Sequence, residues 1–144
     1  MKELRVLIVE DSEQDAALLI RELRKADYVP IHRRVETAAE MADALESGKW
    51  DIVLSDYVMP GFSGLGAVRV VQQKDLDLPI IIISGQIGED TAVEAMKAGA
   101  QDYIIKGNLK RLGPTIEREL DEAERAEARR ITDIRIKQNN AAAG

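Results

Sequence analysis

The chain has 144 residues, 45% hydrophobic and 32% charged, a mixture that fits one globular domain able to bury its own core. It has no cysteine and a net charge of −6, so disulfides and thiolate metal sites are excluded and direct binding to nucleic acid is disfavoured. Aromatic residues are only 3%, which leaves the core to Val, Ile, Leu, Met and Ala.

The N-terminal stretch MKELRVLIVEDSEQD opens with the apolar run Leu4–Val9, interrupted by Arg5 and followed by acids. That is too short for a membrane span and wrong for a signal peptide, and the chain fits a reducing cytoplasm with no membrane partner. The run ends at Glu10 and Asp11. Ser12 then stands as the N-cap of a first helix, whose one face carries Ala16, Leu19, Ile20 and Leu23. A second run, Val29–Arg34, leads to Thr37 and a helix marked by Ala38, Met41, Ala42 and Leu45, ending at Ser47-Gly48. The third run, Ile52–Ser55, stops at Asp56, and the chain breaks over Pro60 and Gly61 before a helix carrying Leu65, Val68 and Val71. The fourth, Ile80–Ser84, precedes a helix with Ala92, Val93 and Met96 as its apolar face before Gly99. The fifth, Tyr103–Ile105, runs into Lys106, and a last helix begins near Leu109.

Three of these runs, LRVLIV, IVLS and PIIIIS, are essentially continuous rather than alternating, the pattern of strands covered on both faces. Strand–helix alternation repeated five times predicts an α/β doubly wound, five-stranded parallel sheet with right-handed crossovers. The last helix is expected to run beyond the compact domain. The segment from Pro114 to about Lys137 is dense in Glu, Arg and Ala, with pairs of opposite sign such as Asp121–Arg125. It reads as a solvated helix or as a coiled-coil linker to a partner or output domain. Ile116, Leu120, Ala123, Glu127, Ile131 and Ile134 keep a rough 4-3 spacing, but too few positions are good heptad residues to decide. The expected division is a domain over residues 1–122 and a helical extension over 123–144 with a frayed end.

Ligands of open parallel sheets bind outside the C-terminal ends of the strands. In this chain those ends bring Glu10 and Asp11, Asp56, Ser84 and Lys106 together, although long stretches of sequence separate them. Each has an ordinary explanation alone: an acidic pair caps a helix, a lysine sits on the surface, a serine lines a turn. Together they point to a site. Three carboxylates held close repel, and one stays protonated unless a cation intervenes. Hard oxygen ligands suit Mg²⁺, which commonly shares substrate phosphates.

These residues resemble the receiver domain of two-component response regulators. The matching pieces are VLIVEDS, with Glu10 and Asp11; DIVLSDYVMPGFSG, with Asp56, Met59, Pro60 and Gly64; LPIIIISGQ, with Ser84; and AMKAGAQDYIIKG, with Tyr103 and Lys106. The resemblance spans roughly residues 3–122. It implies a flavodoxin-like fold with strand order 2-1-3-4-5 and a phosphorylation-dependent signalling switch rather than an enzyme of its own. It further implies Asp56 as phosphoacceptor from a sensor histidine kinase or phosphotransfer protein. Glu10, Asp11, Asp56 and the backbone carbonyl of Val58 would hold Mg²⁺. Lys106 and Ser84 would bind the phosphoryl group, and Tyr103 would turn inward, changing the face made by the fourth helix, fifth strand and fifth helix. A homodimer through that face or through the C-terminal helix, and a fused output domain, are both compatible with the sequence.

One departure stands out. Receivers usually follow the lysine with proline, often in a cis peptide, whereas this chain has Gly107. With the charged tail, that variant reads as a receiver cut from a larger signalling protein rather than a single-domain regulator. His32 in HRR reads as a surface residue, and Trp50 as packing on a helix end. Val58 and Gln86 flank the site, where polar groups would orient an attacking water. Two rival readings are a haloacid-dehalogenase-type phosphatase, which needs an acid where this chain has Val58, and a docking module that works without phosphorylation.

Overall fold

The computed structural model of the chain describes residues 2–74, 77–85 and 89–143. The elements are β1 (Lys2–Val9), α1 (Glu13–Lys25), β2 (Tyr28–Val35), α2 (Ala38–Ser47), β3 (Ile52–Asp56), a short hairpin of β4 (Val58–Met59) and β5 (Phe62–Ser63), α3 (Gly64–Gln73), β6 (Ile80–Ser84), α4 (Glu89–Ala98), β7 (Asp102–Ile105), a 3₁₀ turn (Lys106–Arg111) and α5 (Leu112–Ala143). Five strands form one sheet in the order β2-β1-β3-β6-β7, with every neighbouring pair parallel. Counting those five alone, the order is the expected 2-1-3-4-5.

Strand alternation divides the core between the two faces of the sheet. Leu7, Val9, Val53, Ile80, Ile82 and Tyr103 pack with Met41, Ala44, Val68, Val71 and Ala95 of α2, α3 and α4. Leu4, Val6, Ile8, Ile52, Leu54, Ile81, Ile83 and Ile104 pack with Leu19, Ile20, Leu23 and Ile116 of α1 and α5. The continuous apolar runs in the sequence reflect this double coverage: Ile80 to Ile83 are each 2% exposed or less.

The helix starts follow from their caps. Ser12 Oγ accepts the Asp15 N–H at 3.2 Å, as the sequence predicts, and Thr37 Oγ1 accepts the Glu40 N–H at 3.1 Å. On α1 the buried residues are the expected Ala16, Leu19, Ile20 and Leu23. The α4 face differs from expectation. Val93 and Met96 are 50% and 45% exposed, while Ala95 is fully buried and Ala92 and Ala98 pack beside it. The sheet takes the small alanine stripe, and the bulkier residues that dominate a hydrophobicity reading face outward.

Two further differences concern connections. Pro60 and Gly61, rather than a plain break, are the turn of the β4–β5 hairpin, with Gly61 at φ +75°. The last helix opens as the 3₁₀ turn and becomes α-helical at Leu112 rather than near Leu109. It then runs unbroken to Ala143, and its residues from 127 to 138 are exposed. His32 is exposed on β2. Trp50 donates its indole N–H to the Ala44 carbonyl at 2.9 Å and packs against Gly48 at the end of α2, as expected. Among the described residues no helix is long and apolar enough to cross a membrane.

Candidate functional site

Sheet register brings the strand ends level. Val9 pairs with Ser55, so Glu10 emerges beside Asp56. Asp56 pairs with Ile83, so Ser84 follows it, and Ser84 pairs with Ile105, the residue before Lys106. A one-residue slip at any of these pairings would turn its strand-end side chain to the other face.

Asp56 is held from both sides. Its Oδ1 accepts the Tyr57 N–H at 2.8 Å, and its Oδ2 lies 3.4 Å from Lys106 Nζ. The side chain is 11% exposed, open enough to react. Behind it the chain is tight. A Cβ on Gly64 would lie 2.9 Å from the Asp56 carbonyl oxygen and 3.0 Å from both Tyr57 Cα and Ile82 Cδ1. Gly64 therefore permits the close approach of α3 to the strand end that presents Asp56.

Ligand oxygens of Glu10, Asp11 and Asp56 lie within 4.8 Å of one another. Glu10 is buried, Asp56 half-buried and Asp11 exposed. Burial pushes the Glu10 carboxyl up to about 7; the Ser12 N–H opposes this, the Asp56 charge adds to it, and Lys106 again opposes. A buried carboxyl with that cost, next to two further acids, is the chemistry of an oxygen-ligand site for a hard divalent cation, and these three residues fit Mg²⁺.

Lys106 is the cation among these acids. Burial by itself lowers its ammonium, but the hydrogen bond to Asp15 and the charges of Asp56 and Glu10 outweigh that and raise it above its ordinary value. Its Nζ lies 2.7 Å from Asp15, 3.2 Å from Glu10 and 3.4 Å from Asp56. Gly107 does not disturb this placement. Among the described residues every peptide bond is trans, and Lys106 opens the 3₁₀ turn.

Ser84 is 5% exposed at the end of β6, and Tyr103 is 9% exposed and packed in the core on the α3–α4 face. Val58 lies in β4 and is 70% exposed. Gln86, read as a flank of the site, lies outside the described residues.

Two site residues went unread in the sequence. Asp15, in the first turn of α1, is the nearest partner of Lys106. Arg34 Nη1 donates to the Glu10 carbonyl at 3.1 Å and its Nη2 to Glu13 at 3.3 Å, with Glu36 as a third partner. The signals were present: Asp15 is one turn after Asp11, and Arg34 is the penultimate residue of β2, near the same edge as the other strand ends.

A family model described as the response regulator receiver domain matches residues 6–117. The chain belongs to that family. The transcriptional regulatory protein PrrA of Mycobacterium bovis is 33% identical over 105 residues, which cover 71% of this receiver domain chain and 43% of PrrA. The chain thus spans under half the length of that curated relative. Among solved structures, a signal receiver domain described as that of a LuxO-type repressor from Vibrio parahaemolyticus is 28% identical, with a TM-score of 0.76 over 88% of this chain and 96% of that one. The signal receiver domain of a signal transduction histidine kinase from Syntrophus aciditrophicus is also 28% identical, with a TM-score of 0.70 over 83% and 91% of the two chains. A receiver domain is a regulatory domain of two-component signalling, and this one has the family's sheet order and its acidic strand-end cluster.

Proposed function

We propose that this receiver domain is a phosphorylation-dependent switch that accepts a phosphoryl group on Asp56. The observation that supports this reading is one cluster: Asp56 at a strand end, Lys106 Nζ 3.4 Å away, and oxygens of Glu10, Asp11 and Asp56 within 4.8 Å. A carboxylate oxygen of Asp56 attacks the phosphorus of a phosphohistidine on a sensor kinase or phosphotransfer protein. The O–P bond forms as the P–N bond breaks, and the imidazole leaves. Glu10, Asp11, Asp56 and the Val58 carbonyl are the residues that would hold Mg²⁺, which when bound offsets charge on the phosphoryl group in transfer. Lys106 orients the incoming oxygens, and the Tyr57 N–H fixes the orientation of the attacking carboxylate.

Phosphorylation adds a charge of about −1.5 to −2 and strong acceptor oxygens. Ser84 turns to these oxygens, and Tyr103 and the exposed Val93 and Met96 of α4 carry the change to the face of α4, β7 and α5. That face, or the extended helix, joins a second copy or an output domain in a cytoplasmic signalling protein. Residues 1–122 form the switch and 123–144 the connection. Self-dephosphorylation by water returns the domain to rest.

Intact mass after incubation with Mg²⁺ and acetyl phosphate tests the reading. One phosphoryl adduct is expected on the wild-type chain, absent without Mg²⁺ and absent from a folded Asp56→Asn variant. An adduct on Asp56→Asn would sink the assignment. A folded wild-type chain with no adduct would move weight to a docking module that works unphosphorylated.

A further inference from the structure

We propose that Asp15 is a positioning residue for phosphoryl transfer, anchoring the Lys106 ammonium at the site through a carboxylate that the metal cluster does not use. This rests on the reading of Asp56 as phosphoacceptor. An ammonium has three N–H donors. Lys106 has three carboxylates around it, and Asp15 is the nearest at 2.7 Å, against 3.2 Å to Glu10 and 3.4 Å to Asp56. The roles of these three acids differ. Glu10 and Asp56 belong with Asp11 to the group whose oxygens converge within 4.8 Å; Asp15 does not.

That difference has a physical consequence. A divalent cation among Glu10, Asp11 and Asp56 takes up their oxygen lone pairs and repels a neighbouring ammonium. With only those acids as partners, Lys106 would lose its acceptors when the cation binds, and its flexible stem would carry the ammonium into solvent. Asp15, which is outside that oxygen group, remains as a hydrogen-bond acceptor 2.7 Å from the Lys106 ammonium. Its backbone is fixed, because its own N–H donates to the Ser12 cap at 3.2 Å in the first turn of α1. Its side chain is 37% exposed, so a charge is kept there at little desolvation cost. Lys106 therefore stays where the phosphoryl oxygens arrive, without Asp15 taking a coordination position.

The test compares the wild-type chain with Asp15→Ala and Asp15→Asn, using acetyl phosphate as donor. In Asp15→Ala the phosphorylation rate at saturating Mg²⁺ falls about tenfold, the loss typical of a residue that orients a group in direct contact with substrate. Asp15→Asn, which keeps an oxygen acceptor, lies between. Calorimetric titration with Mg²⁺ alone gives dissociation constants for both variants within about threefold of wild type, since no metal ligand is lost. In the Mg²⁺-saturated chain, the side-chain ¹⁵N signal of Lys106 is protected from exchange in the wild type, lost in Asp15→Ala and kept in Asp15→Asn. An Asp15→Ala chain phosphorylated at the wild-type rate overturns the inference alone. So does a loss of Mg²⁺ affinity beyond tenfold, which would make Asp15 a metal ligand. A wild-type chain that takes no phosphoryl group while showing the protected Lys106 signal overturns the phosphoacceptor reading, and this inference with it.

Discussion

Lys106 and Asp56 stand 50 residues apart in the chain and 3.4 Å apart at the mouth of the sheet. The closeness is produced by register: β3 pairs with β6 and β6 with β7, so a lysine after β7 and an aspartate ending β3 meet across the end of β6. Lys106 is also the one cation within salt-bridge reach of Glu10, Asp15 and Asp56 among the described residues.

Replacing that cation by an apolar side chain of similar length tests how much the fold depends on it. Removing one partner of a buried ion pair costs about 3–5 kcal/mol, because a charge is left uncompensated. Here Lys106 is 26% and Asp15 37% exposed, so solvent screens part of the loss. Lys106→Met is expected to destabilise the metal-free domain by about 1–2 kcal/mol after that discount. Urea unfolding with a chelator present measures it. An unchanged midpoint would mean that water already neutralises the cluster.

The same cluster predicts a response to the metal. A ligand that binds only the folded state stabilises it by about 2.7 kcal/mol at a hundredfold excess over its dissociation constant. Mg²⁺ should therefore raise the unfolding midpoint of the wild-type chain. Asp11→Asn should abolish the rise while leaving the chelated protein as stable as wild type or more so, since Asp11 is exposed and one of several repelling acids. Equal Mg²⁺ shifts in both proteins would remove Asp11 from the ligand set.

Two glycines near the site should respond in opposite directions to the same change. A Cβ at Gly64 meets backbone atoms of Asp56 and Tyr57 at 2.9 and 3.0 Å. Gly64→Ala should cost about 1–3 kcal/mol, the range for overpacking, and slow phosphorylation by displacing Asp56. A Cβ at Gly107 meets nothing within 4 Å, and its φ is outside the left-handed region. Gly107→Ala should raise stability by about 0.4–1 kcal/mol through the unfolded state, with Lys106 undisturbed. Paired melting curves decide both.

What the sequence made legible follows from how local each signal is. The strands and the residues at their C-terminal ends could be read because the runs buried on both faces are mostly apolar, with Ser55 a buried exception in β3; Asp56 and Ser84 close β3 and β6, and Lys106 follows β7. The buried face of α1 was legible because Leu19, Ile20 and Leu23 are bulky and at helical spacing. The α4 face was not, because the core takes Ala95 and leaves the more hydrophobic Val93 and Met96 outside. Asp15 and Arg34 escaped for another reason. An acid in a first turn and an arginine in HRR are ordinary surface residues until tertiary structure puts Lys106 and the Glu10 carbonyl beside them.

Glu119 provides a pH prediction away from the site. It is 6% exposed, and burial pushes its carboxyl up; the charge of Glu122 adds to this and Arg118 opposes it. The folded chain therefore holds a proton that the unfolded chain releases, so the stability from this group is full below the ordinary value of 4.5 and is lost as pH rises through the higher folded value. Glu119→Gln removes that loss. The variant should unfold at higher urea than wild type at about pH 7, with the difference closing at about pH 4, where both side chains are neutral. A difference that instead grows on acidification would reverse the sign and show that Arg118 outweighs burial.

The long helix tests where the domain ends. Ile116 is fully buried in the core cluster between α1, α5 and one face of the sheet, and Leu120 is half-buried at the edge of the same cluster. Beyond Ala126 the side chains are exposed as far as residue 138, and among the described residues the ion pair of Arg130 with Asp77 ties this part back to the domain. An exposed ion pair contributes about 0–1 kcal/mol. Ending the chain after Glu122 should therefore change the unfolding free energy by no more than about 1 kcal/mol and leave phosphorylation on Asp56 at its full rate. Ending it before Ile116 removes a core side chain together with its helix, and should cost more than the 2–5 kcal/mol of a single large-to-alanine core change, about the whole stability of a small domain. Urea unfolding of the two shortened chains separates these cases. A large loss on ending after Glu122 would mean that the extension is part of the folded unit, held through Arg130 and the half-buried Ala123 and Ala126, and that the boundary belongs further along α5.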